Sequence, residues 1–181
     1  MAQSKEVAVF CSARDVLPQY QEPAQELAVL LAQNGFDMVY GGTDRGLMKV
    51  MADEFQAKGR KVIGIIIPVY QHKARINADE MIVAPTLGER KARVLDRSLA
   101  IIGLVGGIGT LDEVMEMIEL KKQGKHNKPI IVLNSGGFYD GLKVQLEKMK
   151  SEDFFPEAIE DLIHFAETPR DVMDYLDSKT L

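Results

Sequence analysis

Cysteine is almost absent from this chain: Cys11 stands alone among 181 residues, so no intrachain disulfide can form. Histidine is scarce as well. Three scattered histidines and one cysteine make no zinc-ligand spacing, so no required metal is expected and His126 is not read as a ligand. Positive charge is in deficit. The 22 Lys and Arg against 27 Asp and Glu leave a net of -5, which excludes the broad basic face of a general nucleic-acid binder. Any anion site must therefore be local. No apolar run approaches the roughly 18 residues of a membrane span, and the opening MAQSKEVAVFC lacks a basic segment followed by a long apolar stretch and a cleavage site. The expectation is a cytoplasmic protein with neither a membrane nor a nucleic acid as partner. Repeats, low-complexity tracts and linker-like shifts are also missing, so residues 1–181 read as one domain.

What is present is a rhythm of short apolar runs and longer segments of helical period. Strands are expected at Glu6 to Cys11, Asp37 to Tyr40, Lys61 to Ile67, Glu80 to Ala84, Leu99 to Val105, Pro129 to Leu133 and Leu162 to Ala166. Helices are expected at Gln21 to Gln33, Leu47 to Lys58, Leu87 to Arg97, Thr110 to Gln123, Tyr139 to Lys150 and Pro169 to Leu176. Several strands are unbroken Val/Ile/Leu runs, which suits parallel strands covered on both faces. The fold class is α/β, a doubly wound parallel sheet, and its ligands belong outside the carboxyl ends of the strands.

Three strand ends carry loops capable of chemistry: Cys11 to Arg14, Gly41 to Gly46, and Gly106-Gly107-Ile108-Gly109-Thr110. The third is the sharpest. Glycine lets backbone approach a ligand closely, and the helix that follows offers unpaired N–H groups at its positive dipole end. An anion, phosphate above all, fits such a turn. The familiar nucleotide fingerprints nevertheless fail: Asp112 stands where the dinucleotide motif needs its third glycine, and Gly41-x4-Gly46 runs into Leu47-Met48 instead of Lys-Ser or Lys-Thr.

Other readings of these residues compete. Thr110-x-x-Glu113 has the spacing of a capping box, in which Glu113 merely reaches back to a backbone N–H. In the same helix Leu111, Val114, Met115 and Ile118 keep the spacing of a buried stripe, with Glu113 on another side. Placed one turn into the helix, a carboxylate can instead bind sugar hydroxyls or stabilise an oxocarbenium-like transition state. Glu89 to Arg97 concentrates four cations, and Arg90, Arg93 and Arg97 share one helical side, a pattern common on solvated faces. Leu47, Met51 and Phe55 at i, i+4 and i+8 read as a buried face rather than a cofactor box.

Taken together, VYGGTDRGLM (39 to 48), ERKA (89 to 92), GGIGTLDE (106 to 113) and QGKHNKPIIVLNSGGFYDGL (123 to 142) resemble the Lonely Guy family, in the right order over nearly the whole chain. That family is often labelled lysine decarboxylase, yet its members look like phosphoribohydrolases that cleave cytokinin nucleoside 5'-monophosphates, or AMP, to free base and ribose 5-phosphate. The resemblance implies a Rossmann-like fold, a homodimer and no organic cofactor. Its Arg-Lys dipeptide and Pro-Gly-Gly-x-Gly-Thr-x-x-Glu turn fall on Arg90-Lys91 and on Val105 to Glu113. By resemblance, Arg90 and Glu113 are the catalytic candidates, while Lys91, Gly106, Gly107, Ile108, Gly109 and Thr110 bind a nucleoside 5'-monophosphate substrate. Val105 replaces the motif's proline, Leu99 stands where relatives usually have aspartate, and Thr43 and Lys49 replace glycines.

The alternative function is a non-catalytic nucleotide or cofactor carrier using the same glycine turn. A third idea, Lys91 as a Schiff-base lysine for pyridoxal phosphate, finds no further pyridoxal signature in the chain. For the dimer, the residue-level motive is that Met115, Met117, Ile118 and Leu120 spread apolar surface over more than one side of their helix. The competing account covers Met117 and Leu120 with the chain's own C-terminal helix.

Overall fold

Seven runs of β-branched and apolar residues pair into one sheet in the computed structural model, which describes residues 5–179. The strands are β1 (Lys5–Phe10), β2 (Phe36–Tyr40), β3 (Val62–Ile66), β4 (Glu80–Val83), β5 (Ala100–Gly103), β6 (Ile130–Leu133) and β7 (His164–Ala166). All neighbours are parallel, in the order β4-β3-β2-β1-β5-β6-β7. The chain winds outward from β1 to β4, then returns to place β5 on the other side of β1. The topological switch therefore lies between β1 and β5, where a doubly wound sheet opens its ligand crevice.

Helices α1 (Pro18–Gln33), α2 (Gly46–Ala57), α3 (Leu87–Arg97), α4 (Ile108–Lys122), α5 (Asp140–Ser151), α6 (Ile159–Leu162) and α7 (Pro169–Ser178) cover both faces. On one face Leu27, Met51, Phe55, Val172 and Leu176 join Val7, Val9 and Met38 in a core. On the other, Val94, Val114, Met117, Leu146 and Leu162 pack against Ala8, Ile63, Ile101 and Val132. Continuous apolar strands are what this double coverage requires: every residue of β2, β3, β5 and β6 is buried. The fold class read from the sequence is the one observed, and Leu47, Met51 and Phe55 are the buried face expected of them.

Element ends shift for local reasons. The fifth strand, expected to run to Val105, leaves its ladder at Gly103. Leu104 and Val105 bend away while still bonding β1 and its loop, through Leu104 N–H to Phe10 O at 2.8 Å and Ser12 N–H to Val105 O at 3.0 Å. Helix α4 begins at Ile108, two residues before the expected start, with Gly107 as its N-cap and no side-chain cap. That overturns the capping box, because Thr110 sits inside the first turn and Glu113 is spoken for elsewhere. The buried side of α4 is Thr110, Glu113, Val114, Met117 and Ile118, so the expected stripe is rotated and Leu111 faces out. Met117 and Leu120 pack with Leu142, Leu146, Met149, Ile159 and Leu162. Within that cluster α6 meets α4 directly, no residue of the last helix belongs to it among the described residues, and Met117 is fully buried by its own chain. Residues 1–4, part of the segment read for a leader, lie outside the described residues. Among the described residues no helix is long and apolar enough to cross a membrane.

Candidate active site

The three loops singled out in the sequence meet at the carboxyl edge of the sheet, around a cleft of about 1260 Å³ lined by Cys11, Gly41, Arg90, Gly107, Thr110 and Glu113 among others. Each arrives by its own strand: Cys11 follows β1, Gly41 follows β2, and Gly107 follows β5. Arg90 comes from the side, from the first turns of α3, whose N-cap Thr86 accepts from Glu89 N–H at 3.1 Å.

Arg90 is buried, not on a solvated face. Its Nε donates to Ile65 O at 2.8 Å and its Nη1 donates to Glu113 Oε1 at 2.5 Å. Its neighbours in the sequence cluster part company with it: Arg93 stays exposed beside Glu89, and Arg97 reaches Glu6 at 2.9 Å and Glu80 at 2.7 Å. The surface reading thus holds for Arg93 and Arg97 and fails for Arg90. Gly41 makes room for the guanidinium, since a Cβ there would lie 2.8 Å from Arg90 Nη2 and 2.8 Å from Met48 Cε.

Glu113 is buried at the foot of the cleft. Burial drives its carboxyl pKa above the ordinary value, and the Arg90 guanidinium offsets only part of that. The nearby Cys11 thiol is also pushed up, first by burial and then by the Glu113 charge, so it is no ready nucleophile. Glu113 and Arg90 form a charge pair in which each holds the other in one place.

The glycine turn presents bare backbone. Gly107 has φ -89°, and nothing lies within 4 Å of a Cβ placed on Gly107 or on Gly109. Both line the cleft, so what faces them is ligand space. The first-turn N–H groups of α4 have no intrahelical acceptor by construction, and Gly107, Gly109 and Thr110 of that turn border this space. Gly106 serves packing instead, since a Cβ there would collide with Thr110 Oγ1, and glycine lets the turn close onto that residue. Of the remaining candidates, Thr110 and Lys91 line the cleft, whereas the Ile108 side chain points out and is 88% exposed.

Lys91 is locked. Its Nζ lies 3.0 Å from Asp112 Oδ2 and forms a second ion pair with Glu116. Burial alone would lower its pKa, but the bonds to Glu116 and Asp112 outweigh that and hold it above the ordinary lysine value. A Schiff-base lysine must be neutral to attack a carbonyl, so these surroundings do not fit pyridoxal phosphate. His126 is likewise engaged, with Nε2 2.9 Å from Met117 O and Nδ1 accepting from Lys128 N–H at 3.1 Å. Its segment ties β6 to α4 and lies off the cleft.

One residue at the rim escaped the sequence reading. Buried Arg75 meets Asp44 and Asp53, each at 2.6 Å, and Gln56 at 2.7 Å, while its N–H donates to Gly42 O at 2.9 Å. It pins the Gly41 to Gly46 loop to the segment after β3. The only sequence signal was the mismatch of a lone arginine in VYQHKARINADE with two aspartates some 20 to 30 positions back, which no local spacing rule reads.

A family model described as possible lysine decarboxylase matches residues 48–176. A probable cytokinin riboside 5'-monophosphate phosphoribohydrolase of Oryza sativa subsp. japonica is 33% identical over 178 residues, covering 96% of this chain and 71% of its own length. The cytokinin riboside 5'-monophosphate phosphoribohydrolase of Mycobacterium tuberculosis is 36% identical over 160 residues, covering 87% of this chain and 86% of its own. Among solved structures, the molybdenum cofactor binding protein from Rippkaea orientalis superposes with a TM-score of 0.76 at 21% identity over 100% of both chains. The molybdenum cofactor carrier protein from Chlamydomonas reinhardtii gives 0.74 at 18% identity over 97% of this chain and 98% of its own. At such identities these structures establish the fold and nothing finer.

Proposed function

Because the chain belongs to the Lonely Guy family, whose family model is described as possible lysine decarboxylase, we propose that it hydrolyses the N-glycosidic bond of a nucleoside 5'-monophosphate, either a cytokinin riboside 5'-monophosphate or AMP. The observation that carries the reading is the buried Arg90–Glu113 pair, which opens on the same cleft as the bare glycine turn at the start of α4.

In this reading the 5'-phosphate rests on the N–H groups of Gly107, Gly109 and Thr110, an anion on a helix N-terminus. The ribose then lies over Glu113. As the C1'–N bond lengthens, its electron pair leaves with the base, and positive charge grows on C1' and the ring oxygen. The ionised Glu113 carboxylate stabilises that charge, as carboxylates do in glycoside cleavage. Water adds to C1', one of its protons ends on the departing base, and the other remains on the new hydroxyl of ribose 5-phosphate. Arg90 orients Glu113 and keeps a positive charge beside the base as it acquires electrons. Lys91, held by Asp112 and Glu116, keeps α3 and α4 together at the mouth of the cleft.

The carrier alternative uses the same turn but leaves the Arg90–Glu113 pair without a role, which favours hydrolysis. Incubating the protein with AMP and with isopentenyl-AMP and following free base decides between them. Base release from either supports the hydrolase. No release from both, with AMP still bound, moves the protein to the carrier class.

The reading includes a homodimer and a cytoplasmic setting. The apolar surface available for self-association is not Met117 and Leu120. It is Ile108 and Leu111, at i and i+3 on the outer side of α4, and Leu87 at the start of α3 is exposed as well.

A further inference from the structure

We propose that the cleft holds a second phosphate next to the first, so that pyrophosphate-bearing nucleotides bind it more tightly than nucleoside monophosphates; this rests on the nucleotide reading of the glycine turn.

The cations around the cleft fall into two groups. Those beside the glycine turn are neutralised by carboxylates: Arg90 by Glu113, and Lys91 by Asp112 and Glu116. On the side of the loops after β1, β2 and β3, Lys49 is taken by Asp53 and the others are not neutralised. Arg14, Arg45 and Lys73 line the same cleft, and among the described residues none of them forms an ion pair. Lys73 lies instead 5.4 Å from the ring centroid of half-exposed Tyr70. The carboxylates nearby do not cancel them. Asp44 is held by Arg75, Lys49 is taken by Asp53, and only exposed Asp15 remains as a countercharge on that rim. Three unpaired cations gathered on one cleft, in a chain of net charge -5, make a local positive field with no internal partner.

The backbone places this group beside the glycine turn. Ser12 N–H donates to Val105 O at 3.0 Å, which sews the β1 loop to the start of the turn. Ser12 O accepts from Met48 N–H at 3.2 Å, which sews the same loop to α2. Gly46, at φ +55°, is needed there, because a Cβ would collide with the Arg14 backbone. Arg14 is therefore fixed between the two helix starts, with its own N–H on Ser12 Oγ at 2.9 Å, while its side chain stays exposed. A phosphate on the α4 start has the Arg14 loop as its immediate neighbour, so a second phosphate linked to it meets Arg14 and Arg45. The cleft, at about 1260 Å³, exceeds the usual upper size of roughly 1,000 Å³ for small-ligand sites. Because the glycine fingerprints of dinucleotide and ATP sites are missing, side chains take the role that backbone plays in those sites.

The test is calorimetric titration of the full chain with AMP, ADP and diadenosine 5',5'-pyrophosphate, repeated on the double variant Arg14→Ala/Arg45→Ala. Both side chains are exposed and make no side-chain bonds among the described residues, so the variant keeps its fold, which thermal unfolding checks. ADP, the dinucleotide or both should bind the wild type at least about tenfold more tightly than AMP, a size expected of one charge-assisted contact. In the variant that advantage disappears, so that ADP and the dinucleotide bind no more tightly than AMP does. Tighter ADP alone assigns the site to nucleoside diphosphates, and a tighter dinucleotide alone assigns it to dinucleotides. The proposal is overturned if neither ligand binds more tightly than AMP, or if the double variant weakens AMP as much as ADP, since the arginines then hold a single phosphate. Loss of AMP cleavage in the wild type, with ADP still bound through the arginines, sinks the hydrolase reading and leaves this one standing.

Discussion

Arg90 and Glu113, 23 residues apart on α3 and α4, meet side chain to side chain at 2.5 Å in a nearly dry corner of an otherwise open cleft. The pair joins two helices across the end of the sheet, and it makes the stability of the site and its chemistry inseparable. Glu113→Ala should abolish base release and also destabilise the fold by about 3 kcal/mol, because a guanidinium is left buried and unpaired. Glu113→Gln keeps an acceptor for Arg90 and should cost about 1 kcal/mol while activity is still lost. Urea unfolding and an AMP assay on both variants check this. A folded Gln variant with wild-type turnover would remove Glu113 from the chemistry.

The raised pKa of Glu113 carries a pH signature. The ionised form is the one that stabilises positive charge at C1', so the acid limb of kcat/KM should lie above the ordinary glutamate value of 4.5. For stability the sign is opposite. A carboxyl whose folded pKa is raised contributes stability that is complete below 4.5 and is lost as pH climbs through the folded value. Glu113→Gln should therefore flatten the stability profile over that window. An unchanged slope in the Gln variant would show that burial does not perturb Glu113.

The glycines of the turn separate into two kinds, and substitution should tell them apart. Gly106→Ala drives a methyl into Thr110 Oγ1 and should cost about 1–3 kcal/mol, as overpacking does. Gly107→Val is different. With φ at -89° and open space around the Cβ, it is unstrained and should fold, but its side chain enters the cleft and should weaken AMP binding about tenfold or more. Undiminished AMP affinity in folded Gly107→Val would put the phosphate elsewhere.

These positions also mark what the sequence could and could not disclose. Unbroken runs such as Ile130–Leu133 need both faces covered, so the parallel sheet and its seven strands were legible, and the three ligand loops with them. Helix phase was not. Whether α4 starts at Ile108 or Thr110 decides whether Glu113 caps its own helix or meets Arg90, and spacing alone is the same in both cases. Arg90 looked like Arg93 because neither Gly41 nor Ile65 O, the groups that receive it, is near it in sequence. The Arg75 cluster was hidden for the same reason.

Lys91 tests the decarboxylase description. With its ammonium held by Asp112 and Glu116, it should form no imine. Incubation with pyridoxal phosphate followed by borohydride should leave Lys91 unmodified by peptide mass mapping, and lysine should yield no carbon dioxide. A reduced adduct on Lys91 would reopen that chemistry.

Self-association gives the last expectation. Ile108 and Leu111 lie together on the outer side of α4, and nothing among the described residues covers Ile108 at 88% exposure or Leu111 at 40%. Burying such a patch against its two-fold copy would put each chain's Gly107 turn and Leu87 beside the other's α4, as isologous contacts require. A glutamate on that patch would then be trapped, paired or not, against an identical charge. Ile108→Glu/Leu111→Glu should therefore sediment as one chain of 20.1 kDa where the wild type runs at twice that mass, with little change in folding because both side chains are exposed. If the site needs the second copy to complete its base pocket, AMP cleavage falls with dimer mass across a dilution series. A wild type that sediments as a single chain at micromolar concentration while cleaving AMP would show that one chain suffices.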